Sequence, residues 1–172
     1  MNNAHDSLRI TPSPVNPWVG LLGWLALCAA AGAIGAVASA QAKEFYATLD
    51  QPPWAPPAAV FGPVWTLLYI AMAFAAWLVW RERGFARARG ALGLFLAQLA
   101  LNALWSWLFF AWHRGALAFV DIVALLALIV ATVVSFAKIR RLAAWLLVPY
   151  LAWVSFATLL SYSVWQRNPL AL

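Results

Sequence analysis

The chain has 172 residues, of which 66% are hydrophobic and only 9% charged. A soluble domain holds roughly 45–50% apolar and about 25% charged residues. Composition therefore excludes an ordinary soluble protein, and it excludes disorder as well, because disordered chains are poor in apolar residues. Eleven Lys and Arg against five Asp and Glu give a net charge of +6. These charges are confined to short links between apolar runs, which points to membrane topology and away from nucleic acid.

Residues 1–17 form a polar, proline-broken tail with Arg9 as its one firm cation. No short h-region with a small-residue cleavage site follows, and the first apolar run reads as a retained span. Five apolar runs are present, at 18–40, 58–80, 91–112, 116–137 and 142–165. As helix each measures roughly 33–36 Å at about 1.5 Å per residue, enough to cross a hydrocarbon core of about 30 Å with some tilt. The runs are apolar on all sides, whereas barrel strands alternate. The expected fold is an all-α membrane protein, a single five-helix bundle over 18–165 with a short tail at 166–172. Eight of the eleven basic residues fall on the side of the N-tail and the 81–90 and 138–141 links. The positive-inside rule then places the N-terminus in the cytoplasm and the 41–57 link outside, for a bacterial-type cell membrane; in an outer membrane the rule loses its force.

In the first span the single cysteine, Cys28, has no disulfide partner and suits a small packing role. Gly32, Gly35, Ala36 and Ala40 permit close approach of a neighbouring backbone. The 41–57 link reads QAKEFYATLDQPPWAPP. Its two Pro-Pro pairs predict a stiff, extended stretch. Phe45, Tyr46 and Trp54 within it fit either interfacial anchoring or a semi-rigid lid over a pocket.

Phe61, Trp65 and Tyr69 recur every four residues on one face of the second span. Gln98, Asn102, Trp105 and Phe109 share a face of the third. Trp153 lies deep in the fifth, with Tyr150, Ala157 and Ser161 on an adjoining stripe. These stripes fit two arrangements: core packing with the amides as interhelical glue, or an aromatic-walled cavity with a few polar groups. Gly93 and Ala97 fit intramolecular packing or a dimer face equally well. Asp121, an acid well inside the fourth span, should face the bundle and either find a partner or be protonated, because desolvation disfavours its charged form.

Other chemistry is missing. His5 and His113 cannot meet a carboxylate in a metal geometry, and no Gly-rich phosphate loop or Ser/His/Asp set occurs. No span interior contains His, so a tetrapyrrole would be held by stacking and hydrogen bonds rather than by an axial ligand. A transporter reading has few polar residues to line a path and no duplicated halves.

The runs FYATLDQPPWAPPAAVFGPVWTLLY, AQLALNALWSWLFF, AFVDI and LLVPYLAWVSFATLLSYSVWQRN, in this order and spacing, resemble the tryptophan-rich sensory protein (TspO/MBR) family. The likeness covers about residues 32–168. It implies five helices around one ligand cavity, usually in a homodimer. It also implies binding of porphyrins such as protoporphyrin IX, of sterols and of benzodiazepine-type drugs, with a sensor or carrier role. Light-dependent oxidative breakdown of porphyrin is an alternative activity, and Trp65 and Trp153 match the two tryptophans linked to it. By the same match Tyr46 and Trp54 cap the cavity, while Trp65, Tyr69, Asn102, Trp105, Trp153 and Ala157 line it. Gln98 and Asp121 are the polar positions inside the membrane. Leu160, Tyr162 and Arg167 match a sterol-recognition stretch. No cofactor is implied beyond a porphyrin ligand, and the remaining partner is membrane lipid. The chain departs from the family in having Phe45 where Trp is frequent, Gln51 before Pro52 where Lys is frequent, and Ser161 where Asn is frequent.

The charge count is open to a direct check. In a Cys28→Ala background in cells, a cysteine at position 47 should react with a membrane-impermeant maleimide and one at position 13 should not. The reverse pattern would contradict the orientation.

Overall fold

The computed structural model describes residues 16–172; the tail expectations before residue 16 lie outside the described residues. Every regular element among these residues is helical. Lipid offers no water to a backbone N–H or C=O, and a helix satisfies both internally. Helix α1 (Pro17–Ala38) starts where the Asn16 side chain accepts a hydrogen bond from the Trp18 N–H at 3.0 Å, with Pro17 at the first helical position. A short α2 (Ala42–Thr48) follows, then irregular chain with a hydrogen-bonded turn at Pro52–Ala55, where the Ala55 N–H donates to the Pro52 carbonyl at 2.9 Å, and a single 3₁₀ turn at Ala58–Val60. Next come α3 (Phe61–Ser106), a π-helical turn at Trp107–Ala111, α4 (Gly115–Ala137) and α5 (Arg141–Arg167).

The helical stretch Ala58–Ala111 has 54 residues, which would reach roughly 80 Å if straight at about 1.5 Å per residue. Gly84, at φ 66° and ψ 170°, breaks it. Tyr69 bonds Asn102, and Met72 meets Gln98, across that glycine. The two arms of α3 are therefore antiparallel, and each crosses the membrane once. With α1, α4 and α5 they make five spans in one bundle.

Two links differ from their expected form. The 81–90 link is not a loop. Arg, Glu and Ala are good helix formers, so both arms run on as helix and reverse at the one residue whose missing Cβ permits it. The 41–57 lid is not extended throughout. Its prolines begin only at Pro52, and the Ala-Lys-Glu-rich stretch before them coils into α2 with Glu44 in the first turn.

The interior is close-packed. Phe95 stacks on Phe136 at 6.0 Å and meets the edge of Trp24 at 5.7 Å. Cys28 is buried there, as its apolar setting suggested. Gly20 of α1 packs against the Trp80 ring of α3, which leaves no room for a Cβ. Gly32 and Gly35 likewise make room for side chains, those of Tyr69 and Ser106. The Trp77 indole N–H donates to the Pro17 carbonyl at 2.8 Å, and Arg140 pairs with Glu82 at 3.1 Å. The start of α1, the α3 reversal and the α4–α5 turn thus share one end of the bundle. Helix α2, the α3–α4 turn and the C-terminus share the other.

The reversal makes a stability prediction. The Gly84 conformation is open essentially to glycine alone, and a side chain there costs about 1–3 kcal/mol. Gly84→Ala should lower the thermal unfolding midpoint in detergent. Gly23→Ala, where an added Cβ meets nothing within 4 Å, should leave it level or raise it.

Candidate functional site

At the α2 end the helices part around a cavity of about 740 Å³, within the range of roughly 300–1,000 Å³ usual for small-molecule sites. Its walls come from α1, both arms of α3 and α5, and α2 covers it. The four-residue spacing of Phe61, Trp65 and Tyr69 puts all three rings on the cavity face of the N-terminal arm. Asn102 and Trp105 enter from the C-terminal arm, Trp153 and Ala157 from α5, and Tyr46 from α2. The small residues Gly32, Gly35 and Ala36 keep the α1 wall thin.

The rings are braced by one another. Trp65 lies 5.7 Å from Tyr69 and 6.2 Å from Tyr150, and Trp153 meets Phe61 edge-on at 5.8 Å. Trp105 stacks on Phe109 at 5.1 Å. Edge-to-face and offset pairs of this kind contribute about 0.5–1.5 kcal/mol each beyond area burial.

A polar chain closes the cavity floor. The Tyr69 hydroxyl donates to Asn102 Oδ1 at 2.5 Å, Asn102 Nδ2 donates to the Tyr150 hydroxyl at 3.2 Å, and Tyr150 donates to Gln98 Oε1 at 2.7 Å. Gln98 Nε2 ends the chain on Met72 Sδ at 3.9 Å. The two amides predicted inside the membrane are thus partnered, as burial in an apolar medium requires. Asn102 lines the cavity as expected, and this chain engages both its Oδ1 and its Nδ2.

Three other lining residues each carry a polar atom turned away from the open space. Tyr46 Oη, Trp105 Nε1 and Trp153 Nε1 are buried and have no hydrogen-bond partner among the described residues. An indole N–H can only donate. Burial pushes the Tyr46 phenol above the ordinary tyrosine value, so it too stays protonated and able to donate. Lys43 adds the one charged lining residue, at the α2 rim. Sequence reasoning missed Lys43, because its place follows only from α2 being helical.

The lid is fastened at both ends. Phe45 stacks on His113 at 4.0 Å, where the α3–α4 turn holds His113 at φ 51°. On the other side the Asp50 N–H donates to Asn168 Oδ1 at 2.8 Å, Asn168 Nδ2 donates to the Asp50 carbonyl at 3.0 Å, and Arg167 pairs with the Asp50 carboxylate at 3.4 Å. Gln51 turns inward, its Nε2 donating to the Tyr46 carbonyl.

Several expected site residues lie elsewhere. Trp54 does not line the cavity: it is half-exposed on the outer side, edge-on to Phe156 at 5.8 Å, because the flanking prolines carry it past the rim. Gln98 is behind the floor. Leu160 is buried, whereas Tyr162, two residues on and hence across the helix, is exposed against Phe119. With Arg167 committed to the lid, the three residues of the sterol stretch share no single surface. Asp121 faces inward as expected, but its Oδ2 has no partner among the described residues.

Comparison with known proteins agrees with this architecture. The TspO/MBR family profile matches residues 24–166. The chain is similar to the translocator proteins of Ovis aries and Homo sapiens, each 39% identical over 155 residues, covering 88% of this chain and 92% of the relative. It is likewise similar to the tryptophan-rich protein TspO of Chlorobaculum tepidum, 40% identical over 150 residues, covering 84% of this chain and 93% of that one.

The fastening predicts a local effect. An exposed ion pair is worth about 0–1 kcal/mol, so Asp50→Asn should change little. Asn168→Ala removes its two hydrogen bonds to the lid, worth about 1 kcal/mol each, along with one to the Val164 carbonyl of its own helix. It should speed amide exchange over residues 45–51 by roughly five- to thirtyfold, since about 1.4 kcal/mol is one decade, and leave exchange in α4 unchanged. Mass-resolved hydrogen exchange checks both halves.

Proposed function

The chain belongs to the TspO/MBR family, and from that premise and its cavity we propose that it is a membrane sensor or carrier for a flat, apolar, acceptor-bearing ligand of the porphyrin kind. The observation that carries this reading is the cavity walled by Trp65, Tyr69, Trp105 and Trp153, with Lys43 at its rim. A tetrapyrrole offers a broad ring to stack between Trp65 and Trp153. Its carboxylates would stay at the α2 rim beside Lys43, because burying an unpaired charge is costly. Lys43 stands in for the cation missing at Gln51.

The same reading places the basic end of the bundle in the cytoplasm and the lid outside. It takes the exposed strip of Gly93, Ala97 and Ala100 as the face on which two copies pair. A second activity, light-driven oxidation of the bound ring by oxygen, is favoured by one feature. Trp65 touches both tyrosines of the floor chain, a set of electron-rich rings able to share an unpaired electron.

Fluorescence titration of the purified protein with protoporphyrin IX tests the reading. Trp65→Ala or Trp153→Ala should weaken affinity at least tenfold, since a lost stacked ring is worth about 1.5–3 kcal/mol and about 1.4 kcal/mol is one decade. Trp112→Ala and Trp145→Ala, both at exposed positions, should stay within threefold. Equal binding by all four folded variants would reduce the cavity to core packing. Illumination of the same samples in air separates the second activity: product formed by the native protein and lost in Trp65→Phe supports it.

A further inference from the structure

The end of the bundle opposite the lid is strongly basic, and the cavity does not explain it. The Arg140–Glu82 pair, at 3.1 Å, holds the α4–α5 turn against the α3 reversal. Around it Arg83, Arg87, Arg89, Lys138 and Arg141 are exposed, with no ion-pair partner among the described residues. Arg81 lies over the Trp77 ring at 4.8 Å. Among the described residues Glu82 is the one acid at this end, and Arg140 already engages it. The lid end is different: there Arg167 has Asp50.

What lies below the cations indicates the occupant. On α4, Val130, Val134 and Lys138 follow one another at four-residue spacing, so a lipid-facing apolar stripe ends in a cation. On α5, Arg141 and Trp145 repeat the arrangement in reverse, with Leu142 beside them. Val130, Val134, Leu142 and Trp145 are all exposed. Phe85, exposed directly after the Gly84 reversal, adds an apolar wedge among the arginines. A free anion would use the cations alone. A molecule with an anionic head and apolar chains uses both.

We propose that this end is a binding surface for anionic phospholipid. The phosphodiester head sits among Arg83, Arg87, Lys138 and Arg141, and the acyl chains lie along the α4 and α5 stripes. Clusters of four or more cations at a membrane surface attract anionic lipid, and the attraction fades with salt over a Debye length. The Glu82–Arg140 pair has a positioning role, joining the two turns into one platform.

Thermal unfolding of the full chain, followed by its own tryptophan fluorescence in neutral detergent, tests the proposal. Phosphatidylglycerol added to the micelles should raise the midpoint, and high salt should remove most of the rise. Phosphatidylcholine and inorganic phosphate should leave the midpoint in place. The variant R83Q/R87Q/K138Q/R141Q should lose more than half of the rise, while R114Q, at the other end, should keep it. Should the fourfold variant fail to fold, R83Q/R87Q and K138Q/R141Q should each lose part of the rise, and R83K/R87K/R141K should retain it. An equal rise with phosphatidylcholine, an equal rise with phosphate alone, or a full rise in the folded glutamine variants would overturn the assignment.

Discussion

A single polar chain, from Tyr69 through Asn102 and Tyr150 to Gln98, ties three spans together beneath the cavity. In a bilayer, hydrophobic burial does little to choose between helix pairings, because lipid tails are as apolar as leucine. A hydrogen bond between buried side chains does choose, since each unmatched partner would cost about 1–3 kcal/mol. The chain therefore fixes the rotation of both α3 arms and of α5. Once that rotation is fixed, Trp65 and Trp105 point into the same space, and Trp153 completes the wall.

The cavity follows from what the chain does not fill. Glycine and alanine keep the α1 wall thin, and the rings opposite are held by one another and so cannot collapse inward. The covering helix is fastened by Phe45 on His113 and by Asn168 on the Asp50 backbone. The cavity thus has walls braced by packed rings and a cover held by a few bonds, three of them at exposed positions.

Much of this was legible in the sequence. The spans were set by run length, and the cavity face of α3 by the four-residue recurrence of Phe61, Trp65 and Tyr69. Asn102 and Gln98 announced themselves as amides in lipid, but choosing between ligand and protein as their partner needs Tyr150 in place, 48 residues from Asn102. Trp54 was misplaced because proline pairs predict stiffness and not direction. Gly84 was read as part of a charged loop because a one-residue reversal has no periodic signature. Asn168 and Lys43 were missed because each gains its role from a partner element that spacing alone does not position. Asp121 faces the bundle, as an acid in an apolar span must, but no partner for its Oδ2 stands among the described residues.

The central claim is that three tryptophans on three different segments bound one ligand cavity. Fluorine NMR of 5-fluorotryptophan-labelled protein titrated with protoporphyrin IX tests it directly, because the porphyrin ring current shifts only indoles that lie against it. With resonances assigned by single Trp→Phe changes, those of Trp65, Trp105 and Trp153 should move together at saturation, while those of Trp112 and Trp145 stay in place. Movement confined to Trp54, Trp112 or Trp145, with the three cavity resonances fixed, would contradict the account.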